Sequence, residues 1–258
     1  MNIFDASILG IIEGITEFLP ISSTGHMIVA SKFLGLAQSD FTKAFEVIIQ
    51  LGAILAVLFS YKEEFTFKKI GLWTKIFISF LPIGIVGFLL AKQVKEIFSV
   101  EIVAIMFIIG GIIFIVVEKF YKEDKQTHLD DIEKISYKQA LYIGIAQVFA
   151  LIPGTSRAGS TIIGAMLVKL TRKAAAKYSF LLAFPVMLAV TAYDFLKHFH
   201  EFVGARADVL AIGFIIAFFV ALISMKLFMR FLEKFSFVSF GVYRIIFGIF
   251  LLVFFQYF

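Results

Sequence analysis

Two carboxylates four residues apart, Glu13 and Glu17, precede three consecutive hydroxyls, Ser22, Ser23 and Thr24, and an imidazole, His26. All of them lie in an otherwise apolar region, 6–34, where a bilayer-facing segment should carry no ionisable group. Such groups are costly at membrane depth and ordinarily line a pathway or a reaction site. A second polar interruption, Pro153-Gly154-Thr155-Ser156-Arg157, occurs in the other half of the chain. Acids, hydroxyls, a His and an Arg together are a set of groups suited to handling phosphate.

Each group has a chemical use. Glu13 and Glu17 share one face if their segment is helical. Two like charges there repel, which calls for a shared proton or a cation between them. A hard divalent ion, Mg²⁺ or Ca²⁺, takes oxygen ligands and also bridges phosphate. Ser22, Ser23 and Thr24 follow Pro20 at a turn. Hydroxyls there cap helices, and the helix start they open presents free N–H groups to an anion. One of them can serve as a nucleophile if a base lies within hydrogen-bond reach. His26, three residues after Ser23, shares its helix face and suits the role of general base, with Glu17 as the other candidate. Arg157 opens a helix after its own turn; its planar fork grips phosphate oxygens in pairs and stays charged. Thr155 and Ser156 add donors. The same Arg157 can instead form a salt bridge to Glu13 or Glu17 that locks the two turns together.

The elements that hold these residues are read from hydropathy. At 60% hydrophobic residues, with 34 Phe in 258 residues and a mean hydropathy of +0.97, the chain has more apolar surface than a soluble globule could bury. The absence of Cys excludes disulfides and thiolate metal sites. The net charge of +5 resides mostly in short connections, a membrane-protein pattern that does not call for nucleic acid. No basic leader precedes the first apolar run, so a cleaved signal is not expected. Six stretches, 44–60, 74–91, 101–117, 178–196, 209–226 and 237–256, approach the roughly 20 residues needed to span the hydrocarbon. Regions 6–34 and 139–169 are broken midway by Pro and Gly, which predicts two re-entrant helix-loop-helix hairpins whose tips meet at depth.

A gap-free alignment of Ile12–His26 on Ile145–Gly159 pairs Pro20 with Pro153, Ser22 with Thr155 and Ser23 with Ser156. The expectation is an all-α integral membrane domain built as an inverted-topology repeat, with six spans and two hairpins. Its halves are 1–121 and 137–258, joined by a polar linker containing His128. His198 and His200 lie in another polar stretch. Gln50 and Gln147 read as interhelical hydrogen-bond partners, and Arg244, in the last apolar run, as a helix–helix tether.

Glu13-Gly14-Ile15-Thr16-Glu17-Phe18-Leu19-Pro20-Ile21-Ser22-Ser23-Thr24-Gly25-His26 and Pro153-Gly154-Thr155-Ser156-Arg157-Ala158-Gly159-Ser160-Thr161 closely resemble the two signature regions of the bacterial undecaprenyl-diphosphatase family, also called bacitracin-resistance proteins. The resemblance runs over the whole chain. It implies a divalent-cation-dependent phosphatase of the bacterial inner membrane, with its site toward the outer face. The substrate would be undecaprenyl diphosphate, hydrolysed to the monophosphate carrier of cell-wall synthesis. By motif position the implied site residues are Glu13, Glu17, Ser22, Ser23, Thr24, His26, Thr155, Ser156 and Arg157. The expected partners are a polyprenyl diphosphate and membrane lipids; the oligomeric state stays open, a homodimer included.

Two other readings compete. Inverted repeats, broken helices and midplane acids also suit a secondary transporter or lipid flippase without hydrolase activity, or a phosphatase that also returns the lipid. The type-2 phosphatidic-acid phosphatase class uses similar loops, but its Arg motif carries a His six residues on, where this chain has Ile163.

Overall fold

The computed structural model describes residues 1–37, 39–124, 126–197 and 206–257. His198 and His200 lie outside the described residues. The chain is all-helical among those residues: α1 Ile3–Thr16, α2 Ser23–Phe33, α3 Asp40–Ser60, α4 Ile70–Leu89, α5 Ala91–Glu96, α6 Val100–Phe120, α7 Tyr137–Val148, α8 Arg157–Leu167, α9 Arg172–Lys197, α10 Ala207–Phe231 and α11 Val238–Tyr257. Five of them, α4, α6, α9, α10 and α11, are long and apolar enough to cross a membrane. The apolar part of α3, Ala44–Ser60, falls short of that length. The chain is a multi-pass membrane protein.

The broken regions each give two short helices around a turn. α1, α2, α7 and α8 have 14, 11, 12 and 11 residues. At about 1.5 Å per residue none reaches across ~30 Å of hydrocarbon alone. Local chemistry sets their starts. Asn2 and Asp5 form a reciprocal cap on α1, and Ser136 and Gln139 form one on α7. Ser39 and Ser99 cap α3 and α6 in the same manner.

Helices from the beginning and the end of the chain interlock. α1 lies on α10, while α7 lies on α4; α3 meets α9, and α6 meets α11. Two close backbone approaches make this possible. A Cβ on Gly10 would stand 2.7 Å from the Gly213 carbonyl oxygen, and one on Gly144 would stand 2.5 Å from that of Ser79. Small residues at such seams let apolar helices touch along their backbones. Between α4, α7 and α9, Ser79 Oγ donates to the Ala140 carbonyl at 2.6 Å and lies 2.7 Å from the Tyr178 hydroxyl. Gln147 Nε2 reaches toward the Ser79 carbonyl at 3.4 Å.

At the far end of α6, the buried Glu118 pairs with Arg172 at 2.5 Å and accepts the Phe237 N–H at 2.8 Å. Arg172 also bonds Glu123. One carboxylate thereby joins the end of α6 to the beginnings of α9 and α11. His128 lies in the exposed linker beside Asp124 and Tyr121.

Candidate active site

The turns between α1 and α2 and between α7 and α8 meet. Glu17 continues the helical backbone of α1 as its C-cap, so Glu13 and Glu17 do share a face. Phe18 then buries its ring edge-on against Phe180 at 5.4 Å, fixing where the chain leaves the helix. Each turn ends on a Ser with positive φ: Ser22 at 65° and Ser156 at 77°. Non-glycine residues enter that region only when their surroundings hold them there. Ser156 Oγ accepts the Gly159 N–H at 3.0 Å, whereas Ser22 makes no side-chain cap. The turns therefore correspond with an offset of 134 residues (22 to 156), one more than the proline-matched alignment. Ser22 falls on Ser156, and Ser23 on Arg157.

The contact that joins the turns is centred on Glu17. Its Oε2 accepts the Ser23 hydroxyl at 3.0 Å, and its Oε1 accepts Arg157 Nη2 at 3.0 Å. Arg157 Nη1 donates to the Ser179 carbonyl at 3.0 Å, and the guanidinium stands over the Phe18 ring. The Glu17 and Arg157 side chains are 6% and 10% exposed, so their attraction is little screened. Arg157 Nε and Thr155 Oγ1 are buried without a hydrogen-bond partner among the described residues.

A cavity of about 150 Å³ lies between the turns, walled by Glu17, Ser22, Ser23, Thr24, Ser156 and Arg157. A second cavity of about 480 Å³ shares Ser23, Thr24 and Gln50 with it and extends to Lys32 and Glu46. Two apolar recesses of about 490 and 620 Å³ share Ile15, Ile21 and Tyr243 as common lining.

His26 stands apart from Ser23. Its Nδ1–H donates to the Ser22 carbonyl at 2.8 Å. A carbonyl can only accept, so in the neutral ring Nε2 is the acceptor, here of the Tyr243 hydroxyl at 2.6 Å. The ring stacks on Phe247 at 4.3 Å and lines an apolar recess, not the polar cavity. Ser23 and His26 are three apart on α2, yet no hydrogen bond joins them among the described residues; the partner of Ser23 is Glu17. Thr24 also faces the polar cavities.

Glu13 is completely buried, and neither of its oxygens has a hydrogen-bond partner among the described residues. An unpaired buried carboxylate is costly, and a divalent cation with oxygen ligands is one group that would satisfy it. Among the described residues no three His, Cys, Asp or Glu cluster as a ready-made ligand set, so an ion here would rest on the Glu13–Glu17 pair and on oxygen atoms of other kinds.

Sequence reasoning passed over Tyr243 and Ser179. It placed Arg244 as a tether without its partners, which are four backbone carbonyls and so have no side-chain signature.

The bacitracin resistance protein BacA family matches residues 6–250. The chain is 62% identical over 256 residues to an undecaprenyl-diphosphatase of Sulfurimonas denitrificans, covering 99% of this chain and all of that one. It is 61% identical to an undecaprenyl-diphosphatase of a Sulfurovum species (98% and 99% covered), and 57% to undecaprenyl-diphosphatase 2 of Pseudoalteromonas translucida (98% of each). The carboxylate-bridged Ser and Arg lie inside the matched span, and the chain belongs to the bacitracin resistance protein BacA family.

Proposed function

We propose that Ser23, Glu17 and Arg157 carry out the reaction of this enzyme, the hydrolysis of undecaprenyl diphosphate to undecaprenyl phosphate and inorganic phosphate. The observation that carries the assignment is the single Glu17 carboxylate holding a hydroxyl from one turn and a guanidinium from the other. Phosphoryl transfer depends mainly on positioning and charge neutralisation, and this arrangement supplies both.

Arg157 exchanges its contact with Glu17 for the terminal phosphate. Ser22, Thr24, Thr155 and Ser156 offer further donors around it. Glu17 takes the Ser23 proton as Oγ attacks the terminal phosphorus. The bond from that phosphorus to the bridging oxygen breaks, and undecaprenyl phosphate leaves with the proton that Glu17 returns to it. Water then attacks the phosphoserine, its proton passing to the freed Glu17; the bond from phosphorus to Ser23 Oγ breaks, Oγ takes that proton, and inorganic phosphate departs. The base is assigned to Glu17 rather than His26 because the Ser23 hydroxyl already points at it. His26, bonded to the Ser22 carbonyl and Tyr243, acts as a positioning residue for the turn. Glu13 and Glu17 would hold Mg²⁺ or Ca²⁺, whose chemistry when bound is to neutralise charge on the diphosphate.

The prenyl tail lies in the apolar recesses beside Tyr243, and the head group enters the polar cavity. The two short helix pairs are re-entrant hairpins of an inverted repeat with halves 1–121 and 137–258, in which α3 is the sixth span. The crossed packing of α1 on α10 and α7 on α4 supports that plan. In this reading the site faces the periplasm of a bacterial inner membrane.

The test is phosphate release from undecaprenyl diphosphate by the purified protein in detergent, with Mg²⁺ or with chelator, beside Arg157→Ala. Release by wild type, and loss in the variant and with chelator, is the expected result. An Arg157→Ala enzyme that releases phosphate at the wild-type rate overturns the site assignment.

A further inference from the structure

Arg244 is fully buried in α11, and no carboxylate pairs with it among the described residues. Its guanidinium is held by backbone oxygens instead. Nη1 donates to the Pro20 carbonyl at 3.1 Å, and Nη2 to those of Gly154 at 3.1 Å and Met106 at 2.9 Å. Nε approaches the Phe107 carbonyl at 3.4 Å, and the group stands 5.2 Å from the centre of the Phe107 ring.

Two of those acceptors are corresponding positions of the two turns. Pro20 lies two residues before Ser22, and Gly154 two before Ser156. Ser23 and Arg157 each follow three residues after their bonded carbonyl. The offset that relates the turns, applied to α6, sets Gly110 opposite Arg244 itself. A Cβ on Gly110 would stand 2.3 Å from Arg244 Nη2. Arg244 thus occupies the space its counterpart leaves open, and from there one side chain reaches the backbone of both turns. A charge in that surrounding needs all its carbonyls, so the guanidinium holds the turns at one spacing.

We propose that Arg244 is a positioning residue for the reaction. By clamping the Pro20 and Gly154 carbonyls it sets the separation between the Ser23 hydroxyl and the Arg157 guanidinium. This rests on the site assignment above.

The experiment compares Gly110→Ala, Arg244→Lys and Arg244→Met with wild type and Arg157→Ala, measuring kcat and KM for phosphate release in detergent together with thermal melting. Gly110→Ala displaces the clamp without removing it, because its methyl group would meet the guanidinium itself, with Cζ at 2.8 Å and Nε at 3.0 Å. A misplacement of about 1 Å costs on the order of 10²-fold in rate, so Gly110→Ala should lower kcat about 10–100-fold. KM should stay close to wild type, and the variant should remain folded at the assay temperature. Arg244→Lys, which keeps the charge and part of the clamp, should retain more kcat than Arg244→Met. A folded Gly110→Ala enzyme with wild-type kcat, or with a change in KM alone, overturns the proposal. Should Gly110→Ala not fold, Arg244→Lys decides by the same two readouts. Failure of the underlying site assignment is distinguishable, because Arg157→Ala would then keep its activity.

Discussion

In the proposed reaction Glu17 has two tasks, and two substitutions separate them. Glu17→Gln keeps the side chain's shape and one oxygen that Arg157 can use, but removes the base and the charge. Glu17→Ala removes the base as well and leaves Arg157 buried without its carboxylate. Both should lose a general base's contribution, about 10²–10⁴-fold in kcat. Their stabilities should differ. Breaking a buried ion pair by deleting one partner costs about 3–5 kcal/mol, and the side chains here are only 6% and 10% exposed. A charged hydrogen bond weakened to a neutral one costs less, about 1–2 kcal/mol. At about 2–4 °C per kcal/mol, a difference of about 1–4 kcal/mol should make Glu17→Ala melt roughly 2–16 °C below Glu17→Gln. The assays are phosphate release under single-turnover conditions and thermal melting in the same detergent. A Glu17→Gln enzyme with near-wild-type kcat refutes Glu17 as the base. Equal melting of the two variants refutes the view that Arg157 depends on that carboxylate.

Further outcomes can be checked on the same preparation. Ser23→Ala should lower kcat at least about 10²-fold and abolish any acid-quenched phosphoserine formed from a labelled terminal phosphate; retained labelling excludes Ser23 as the nucleophile. Glu13→Met should raise the melting temperature, since it replaces a buried carboxylate lacking hydrogen-bond partners with an apolar side chain, while activity and its response to Mg²⁺ fall; a lower melting temperature argues for a structural role. Ser22→Gly should stabilise the protein by about 0.5–1 kcal/mol, because Ser22 holds a φ of 65° without a capping bond in return; melting decides it. Arg172→Gln should cost about 3–5 kcal/mol by stranding Glu118, yet leave kcat of the folded enzyme unchanged. Glu118 lies about 16 Å along α6 from the Phe107 carbonyl that faces Arg244, at 1.5 Å per residue.

Long apolar runs made most of the helices legible, because a bilayer demands them. Their ends were less so. The run read as 178–196 begins at Arg172 in the structure, where Arg172, Lys173 and Lys177 are each paired, with Glu118, Glu233 and Glu64. The run read as 44–60 is preceded by a turn of helix that Ser39 caps. Both turns of the site were visible through Pro, Gly and hydroxyl residues out of place in hydrocarbon. Their register was not, since matching prolines ignores where each helix begins, and the positive φ at Ser22 and Ser156 marks that point. Spacing put His26 beside Ser23 but could not reveal that Tyr243, 217 residues away, holds the ring elsewhere. The acceptors of Arg244 were hidden for a simpler reason: every residue has a carbonyl, so no residue type announces one.

Because the charge of Arg157 is already paired with Glu17, an uncharged mimic of the head group should gain little on entering the cavity and leave the ion pair shut. An inhibitor has to carry an anion to win the arginine and a donor or cation to satisfy the glutamate it displaces. A zwitterionic warhead on a hydrocarbon stem meets both demands, whereas greater tail length alone improves anchoring without opening the lock.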